Sequence, residues 1–302
     1  MAGAREAASL LITDLDHTLW DWASFIVPSL RAMVASIEAS TGYSRRFILR
    51  ALRQTYRAHG TVEYAFALQE SAICGRWERE HRGTLDEFLR VVVDPASAAF
   101  ARERRARLTA YPGVHATLHR LKRQSVRIVG LTDAPAFPAE QRLKYCGLDD
   151  CFDALYALRN YYIPRSRSGQ WRVKPEILHR MRSGHYRSMV PRVVQIPAHH
   201  QKPDPRGVVR VLRDFNVRTC QTIYLGDSVR KDGGAARGAR VRFVWARYGT
   251  QLSDELLDEL SLYTPAEVRR RDCSPAAGEI HRRSEIECFA DILRELESLR
   301  CK

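Results

Sequence analysis

Long apolar runs are missing from this chain of 302 residues. No stretch approaches the ~18 consecutive apolar residues that a membrane-spanning helix needs, so we expect no membrane span. The N-terminal apolar segment is too short for a signal peptide and leads directly into a predicted strand, so we expect no export signal. These two shortages together predict a cytoplasmic protein.

Cysteine spacings that are typical of redox or zinc motifs are missing as well. The seven cysteines are an odd number, and none of them forms a Cys-x-x-Cys pair or a Cys/His pair at zinc spacing. We therefore expect reduced thiols and neither a disulfide framework nor a zinc site. The hydrophobic content of 45% and the charged content of 28% are ordinary for globular proteins, and the length allows one large core or two domains of moderate size.

Acidic residues are almost absent from residues 159–201, where nine lysines and arginines face Glu176 alone. This basic stretch carries more than half of the net charge of +14. Basic surface attracts anions, including phosphorylated metabolites and nucleic acid. The stretch is too long for an ordinary connection between two elements. Its sequence leaves open a substrate lid, a contact between two copies of the chain and a spacer without function.

The periodicity of apolar residues changes along the chain. Over residues 21–109 they recur at three- and four-residue spacing, which predicts helices. From residue 114 onward, predicted helices alternate with short strands rich in valine and isoleucine. Four such strands and the opening strand make five strands separated by helices, which predict a parallel sheet covered on both faces. The predicted strands are 10–12, 126–132, 152–158, 222–227 and 241–246, and two or three more helices are predicted over 250–302, the last at 286–299.

Polar side chains follow the carboxyl ends of three predicted strands and precede one predicted helix. Because the carboxyl ends of parallel strands meet at one edge of the sheet, where ligands bind, we expect these side chains to share one crevice. The crevice would hold one hydroxyl, one ammonium and four carboxylates. The residues are Asp14 and Asp16 after the first strand, Thr132 at the end of the second, Lys202 before a helix, and Asp227 and Asp232 after the fourth strand.

Phosphoryl transfer through an aspartyl-phosphate needs such a set of groups. A carboxylate nucleophile divides a difficult hydrolysis into two easier steps. Mg²⁺ takes oxygen ligands and neutralises the charges that meet there, and a hydroxyl and a lysine can bind the phosphoryl oxygens. In these motifs and in their order, the chain resembles the phosphatase branch of the haloacid dehalogenase-like (HAD) superfamily.

The resemblance implies an α/β fold, a doubly wound parallel sheet with a Rossmannoid core and an inserted helical cap. The core would comprise residues 1–20 and 110–302, and the cap would comprise residues 21–109. Arg45, Arg46, His59 and Glu63 are polar residues of this cap that could select the substrate, although solvated helix faces explain them equally well.

Residue roles also follow from the resemblance. It implies Asp14 as the nucleophile and Asp16 as the general acid and then the general base. It implies Thr132, Asp133 and Lys202 as substrate contacts, although Asp133 replaces the amide residue that is frequent at that position. The implied Mg²⁺ ligands are Asp14, Asp16 through its carbonyl, Asp227 and Asp232, the last of which would hold metal-bound waters or Lys202.

One alternative concerns the lysine. Both Lys174 and Lys202 precede a proline and a predicted helix. We favour Lys202, because it lies 25 residues before Asp227 and abuts the amphipathic helix that leads into that strand, whereas Lys174 lies 53 residues before Asp227.

The expected function is Mg²⁺-dependent hydrolysis of a small phosphorylated metabolite by a monomer or homodimer. A phosphomutase or phosphotransferase would use the same residues. A dehalogenase would need neither the second carboxylate, Asp16, nor a metal. A nucleic-acid-binding or scaffold protein with a vestigial site is less favoured, and would use the basic stretch.

Overall fold

The computed structural model describes residues 10–82, 84–165, 169, 171–176, 178–179, 188–264 and 284–299. Seven parallel strands form one sheet in these residues, in the order β4-β3-β2-β1-β5-β6-β7. The first strand of the chain therefore lies in the middle of the sheet. The strands are β1 (Leu10–Thr13), β2 (Arg127–Pro135), β3 (Ala154–Leu158), β4 (Val193–Ile196), β5 (Thr222–Gly226), β6 (Arg242–Ala246) and β7 (Ser284–Ile286).

The central strand β1 is buried on both faces. Leu11 belongs to one hydrophobic cluster, and Leu10 and Ile12 belong to another. Because successive residues of a strand point to opposite faces, the two clusters lie on opposite sides of the sheet. Burial on both sides explains why β1 is a continuous apolar run. The predicted α/β fold with helices on both faces is confirmed.

Six α-helices lie in the described residues between β1 and Arg107, and we call them the inserted helical segment. Asp21 starts the first, since its side chain accepts hydrogen bonds from the backbone N–H groups of Ala23 at 2.9 Å and Ser24 at 3.2 Å. Gly42 ends it with a φ of 67°. The helices are α1 (Trp22–Thr41), α2 (Arg45–His59), α3 (Ala67–Glu70), α4 (Ala72–His81), α5 (Leu85–Phe88) and α6 (Asp94–Arg107), and a π-helical turn, Leu89–Val93, joins the last two.

Most of the remaining described helices pack against the sheet or its edges, whereas the helix Asp254–Leu260 packs against α1. The amphipathic helix Arg206–Phe215 places Val208 and Val211 in the same cluster as Ile12. Among the described residues, none of the helices has the length and apolarity to cross a membrane. The helices are α7 (Val114–Arg123), α8 (Ala136–Tyr145), α9 (Arg206–Phe215), α10 (Asp232–Gly238), α11 (Asp254–Leu260) and α12 (Ile292–Glu297).

Two strands are absent from the sequence prediction. β4 lies inside the basic stretch 159–201 and pairs with β3, so part of this stretch extends the sheet. β7 pairs with β6 and ends at Ile286, where the sequence predicts the start of the last helix. The helical prediction over 286–299 is therefore wrong at its start, because α12 begins only at Ile292. Strands of three or four residues are too short to show a periodicity of their own.

The packing of α9 can be tested with two identical substitutions on one helix. Val211 is fully buried, whereas Val209 is 49% exposed. We expect Val211→Ala to lower the free energy of unfolding by about 2 kcal/mol, because two buried methyl groups and their contacts are lost. Val209→Ala should change it by less than about 0.5 kcal/mol. Urea unfolding of both variants measures the difference, and equal losses would contradict the packing described here.

Candidate active site

Three carboxylates meet at the carboxyl edge of the two central strands. Asp14 follows β1, Asp227 follows β5, and Asp232 begins α10. One oxygen from each lies within 4.8 Å of the others. The backbone N–H of Asp14 donates a hydrogen bond to the Leu225 carbonyl at 2.9 Å. The parallel ladder between β1 and β5 is thus continued as far as Asp14 and fixes the separation of these groups.

The ammonium of Lys202 lies between two of these carboxylates. Its Nζ is 2.8 Å from Asp14 Oδ1 and 2.7 Å from Asp232 Oδ1. The backbone N–H of Lys202 donates to Asp133 Oδ1 at 3.0 Å. Lys202 is buried, so these contacts compensate a charge that would otherwise be costly inside the protein. Lys174, the alternative lysine, pairs instead with Asp94 of α6.

Asp232 is held by several donors and has no exposed surface. Besides Lys202, the hydroxyl of Tyr224 donates to its Oδ1 at 3.0 Å, and the backbone N–H of Ser228 donates to its Oδ2 at 3.0 Å. A Cβ at Gly226 would lie 2.4 Å from Asp232 Cγ, so this position has room only for glycine. With both oxygens engaged, Asp232 is suited to orienting Lys202.

The electrostatics of this cluster follow from burial and from the excess of carboxylates. Burial and then Asp232 raise the pKa of Asp14 to about 7, although Lys202 opposes the rise. Burial also raises the pKa of Asp227 well above its usual range, with further contributions from Asp232 and Asp14. Burial lowers the pKa of Lys202, but Asp14 and Asp232 outweigh it and hold that pKa well above its usual value. The cluster therefore lacks the positive charge that would balance three ionised carboxylates.

The donor chemistry of the cluster fits a hard divalent cation. The three carboxylates of the cluster offer oxygen ligands, and the ammonium of Lys202 contacts two of them, Asp14 and Asp232. Mg²⁺ prefers oxygen ligands and usually takes only one or two carboxylates from the protein. Asp14 and Asp227 match that requirement, since Asp232 already accepts three hydrogen bonds.

Thr132 and Asp133 lie on β2, beside the central strand. The Thr132 hydroxyl is buried and accepts a hydrogen bond from the backbone N–H of Ala134 at 3.1 Å. Burial raises the pKa of Asp133. Its Oδ1 accepts from Lys202, and its buried Oδ2 has no hydrogen-bond partner among the residues that the structure describes. Asp133 thus ties the Lys202 loop to β2.

Asp16 does not belong to the cluster of three carboxylates, and its side chain is paired with other residues. Its Oδ1 accepts hydrogen bonds from Trp20 Nε1 at 2.6 Å and from Arg142 Nη1 at 2.9 Å, and its Oδ2 accepts from the same Arg142 nitrogen at 2.7 Å. Arg142, on α8, also donates to Glu63 of the inserted helical segment. No sequence pattern distinguishes Arg142, because an arginine in an amphipathic helix is expected to have a solvated side chain.

The loop between Asp14 and α1 is supported by the chain after β6. The hydroxyl of Tyr248 donates to the Thr18 carbonyl at 2.7 Å. A Cβ at Gly249 would lie 1.6 Å from the His17 carbonyl oxygen, so glycine is required for this close approach. His17 itself has a φ of 59°, in the left-handed region. The Asp14–Thr18 loop is therefore fixed by contacts to its backbone, and no sequence motif marks the residues that make them.

Three further residues bring possible metal ligands together within 4.8 Å, away from this edge: His119, Asp150 and Cys151. The buried Cys151 thiol donates to Asp150 Oδ1 at 3.4 Å, and burial raises its pKa to about 12. A neutral thiol with a hydrogen-bond acceptor accounts for this arrangement without a metal.

The family of this chain follows from its similarity to a protein-family model. The model of the haloacid dehalogenase-like hydrolases matches residues 8–240. The chain belongs to this family. No curated protein sequence matches it significantly.

Solved structures of HAD-superfamily proteins share the fold. The 2-haloacid dehalogenase from Pseudomonas syringae pv. Tomato DC3000 is 17% identical, with a TM-score of 0.52 over 96% of this chain and 98% of that one. The protein assigned as the HAD-hydrolase YfnB from Bacillus subtilis, bound to magnesium, is 13% identical, with a TM-score of 0.50 over 97% and 100%. A protein from Thermotoga maritima assigned as a beta-phosphoglucomutase is 17% identical, with a TM-score of 0.50 over 95% and 99%. At these identities the likeness shows the fold alone.

The raised pKa of Asp14 contributes to the pH dependence of stability. Because this pKa is raised from 3.8 to about 7 on folding, protonated Asp14 stabilises the folded state relative to ionised Asp14. This stabilisation is fully present below the pKa of the unfolded chain and is lost as pH rises through about 7. A cation that binds the ionised carboxylates competes with protons. We therefore expect MgCl₂ to raise Tm more at about pH 8 than at about pH 5.

Differential scanning fluorimetry with and without MgCl₂ measures this effect. Asp227→Asn should reduce the shift at the higher pH, because one carboxylate of the cluster is lost. Asp254→Asn, on an exposed position of α11, serves as the matched control and should keep the shift. A Mg²⁺ effect that is larger at the lower pH would contradict the assignment.

Proposed function

We propose that this HAD-like hydrolase is a Mg²⁺-dependent phosphomonoester phosphatase that acts through an aspartyl-phosphate on Asp14. The observation that carries the proposal is the contact between Asp14 and the Lys202 ammonium, with Asp227 beside them. A carboxylate nucleophile next to fixed positive charge suits attack on a phosphoryl group, whose transition state spreads negative charge over its oxygens.

The cation would be held by the carboxylates of Asp14 and Asp227, together with the backbone carbonyl of Asp16. When bound, Mg²⁺ supplies charge neutralisation for the nucleophile and for the phosphoryl oxygens. Lys202 would bind a phosphoryl oxygen, and Asp232 would keep its ammonium in place. The Thr132 hydroxyl and the Asp133 side chain complete this edge of the site.

The reaction then takes two steps. In the first, an oxygen of Asp14 attacks phosphorus, the Asp14–phosphorus bond forms, the ester bond breaks, and Asp16 gives a proton to the leaving oxygen. In the second, water attacks phosphorus, Asp16 accepts a proton from that water, and inorganic phosphate leaves while the Asp14 carboxylate is restored. Atoms and protons balance over the two steps.

Two related activities would use the same groups differently. A phosphomutase or phosphotransferase would pass the phosphoryl group from Asp14 to a second hydroxyl in place of water, so product analysis separates it from a phosphatase. A dehalogenase attacks carbon and needs no cation, so the cluster of three carboxylates with Lys202 favours phosphoryl chemistry.

The basic stretch 159–201 offers weaker support for a nucleic-acid-binding function. Among its described residues, Lys174 pairs with Asp94, and Arg172 Nη2 lies 3.0 Å from Cys74 Sγ. Part of its charge is thus used in contacts with the inserted helical segment. We propose a small phosphorylated metabolite as the substrate, and a cytoplasmic monomer or homodimer as the working form.

The direct test is a screen of phosphorylated metabolites and p-nitrophenyl phosphate, with MgCl₂ and with EDTA, using phosphate release as the readout. Release that requires MgCl₂ supports the proposal. Turnover of a haloacid together with no phosphate release from any compound would overturn it.

Asp14→Asn should abolish turnover and leave the fold intact, because an amide cannot form the acyl phosphate. We expect a loss of at least about 10³-fold in kcat, the order seen when a covalent nucleophile is removed. Steady-state kinetics measure the loss, and circular dichroism checks the fold. Asp254→Asn is the matched control with wild-type kcat. Retention of a tenth of the activity by Asp14→Asn would exclude Asp14 as the nucleophile.

Asp227→Ala should raise the MgCl₂ concentration needed for half-maximal activity, because Mg²⁺ is held by few protein carboxylates. The loss of one ligand is expected to cost on the order of 10- to 100-fold in apparent affinity. Activity is measured against MgCl₂ concentration at a fixed substrate concentration. An unchanged activation curve would show that Asp227 does not hold the cation.

A further inference from the structure

The guanidinium of Arg142 is buried between the sheet and the inserted helical segment. Its side chain is only 3% exposed. It lies over the ring of Phe25, with Cζ 5.4 Å from the ring centroid. A buried guanidinium is retained only when carboxylates compensate its charge. Arg142 has two such partners, and they belong to different parts of the chain.

One partner is Asp16, which follows the central strand. Arg142 Nη1 donates to both oxygens of this carboxylate, at 2.9 and 2.7 Å, and Trp20 Nε1 donates to Oδ1 at 2.6 Å. An oxygen that accepts these hydrogen bonds cannot at the same time give a proton to a leaving group. The pairing therefore holds Asp16 away from the role of a general acid.

The second partner is Glu63, in the connection between α2 and α3. Arg142 Nη2 donates to its Oε1, and the Glu63 backbone N–H donates to Thr61 Oγ1 at 3.1 Å. One planar guanidinium is thus shared between a carboxylate of the sheet edge and a carboxylate of the inserted helical segment. The Nε of Arg142 is buried without a hydrogen-bond partner in the described residues, so the guanidinium has a donor left over.

Sharing makes the two carboxylates competitors for one cation. When Glu63 attracts the guanidinium, the hydrogen bonds from Arg142 to Asp16 weaken. When Glu63 is removed or neutralised, Asp16 remains as the one carboxylate partner of Arg142 within the described residues and binds it more tightly. The position of Glu63 therefore decides how available Asp16 is.

We propose that Arg142 is a positioning residue that links Glu63 of the inserted helical segment to the availability of Asp16 for proton transfer. This inference rests on the proposed phosphatase function. It predicts that Glu63 affects kcat through Arg142, and only for substrates whose leaving group needs a general acid. Alkyl phosphates need one because an alkoxide is a poor leaving group, whereas p-nitrophenyl phosphate does not.

The first experiment compares kcat for an alkyl phosphate and for p-nitrophenyl phosphate. Glu63→Gln should lower kcat for the alkyl phosphate by at least about 10-fold, within the ~10²–10⁴-fold that general acid catalysis contributes. Its kcat for p-nitrophenyl phosphate should change by less than about threefold, and KM should be unaffected, because uniform binding is not lost. Equal losses on both substrates would mean a structural role and would overturn the proposal.

The second experiment repeats the comparison in the Arg142→Gln background. There, Glu63→Gln should have no further effect on the ratio of the two kcat values, because the link is already gone. An undiminished effect would overturn the proposal. Should Arg142→Gln fail to fold, Arg142→Lys replaces it, since a point charge loses the fork that reaches both carboxylates.

A matched control uses another arginine–glutamate pair that joins the inserted helical segment to the rest of the chain. Arg31 Nε of α1 donates to Glu259 Oε1 of α11 at 2.7 Å, and neither residue contacts Asp16. Glu259→Gln should leave the ratio of the two kcat values at the wild-type level. A change equal to that of Glu63→Gln would show that any such ion pair has the same effect and would overturn the proposal.

A measurement without substrate separates failure of this inference from failure of the proposed function. Urea unfolding of the wild type, Glu63→Gln, Arg142→Gln and the double variant gives the coupling between the two side chains. We expect at least about a threefold departure from additivity in the unfolding equilibrium constant. Additive effects overturn the inference whatever the activity. Coupling in a protein without phosphatase activity on any substrate would instead overturn the proposed function and, with it, the role assigned to Asp16.

Discussion

The buried ammonium of Lys202 is the interaction on which the site depends. Its two carboxylate partners come from separate parts of the chain, Asp14 after the central strand and Asp232 at the start of α10. Removing either partner would leave the buried ammonium with the other carboxylate to compensate its charge. The same contacts that orient Lys202, the proposed phosphate-binding group, also join the loop before α9 to the carboxyl edge of the sheet.

Close backbone approach is the second constraint, and it follows from the first. Bringing Asp232 against β5 leaves no room for a Cβ at Gly226, and bringing the loop after β6 against His17 leaves none at Gly249. Tyr224 and Ser228 then supply the hydrogen bonds that keep Asp232 in place. With Asp232 engaged by these donors, Asp14 and Asp227 are the carboxylates of the cluster that are suited to holding a cation.

The sequence predicts the parts of this architecture that local pattern determines. The central strands are continuous apolar runs, and their carboxyl ends carry Asp14 and Asp227, so both the sheet and the meeting of these residues could be expected. β4 and β7 could not, since neither is a continuous apolar run and each is defined by pairing with β3 and β6. Arg142 could not either, because its burial depends on Asp16 and Glu63, which lie 126 and 79 residues away in the chain.

Two buried cations, Lys202 and Arg142, are each shared by two carboxylates, but they differ in what they connect. Both partners of Lys202 lie at the carboxyl edge of the sheet, so the contact of Asp14, the proposed nucleophile, with Lys202 does not involve the inserted helical segment. One partner of Arg142, Glu63, belongs to that segment, so the surroundings of Asp16 do depend on it. The fold therefore separates the proposed nucleophile, Asp14, from the proposed acid and base, Asp16, whose hydrogen bonds depend on the inserted helical segment. An enzyme built this way can keep its attacking group ready while it ties proton transfer to the contacts made on the other side of the crevice.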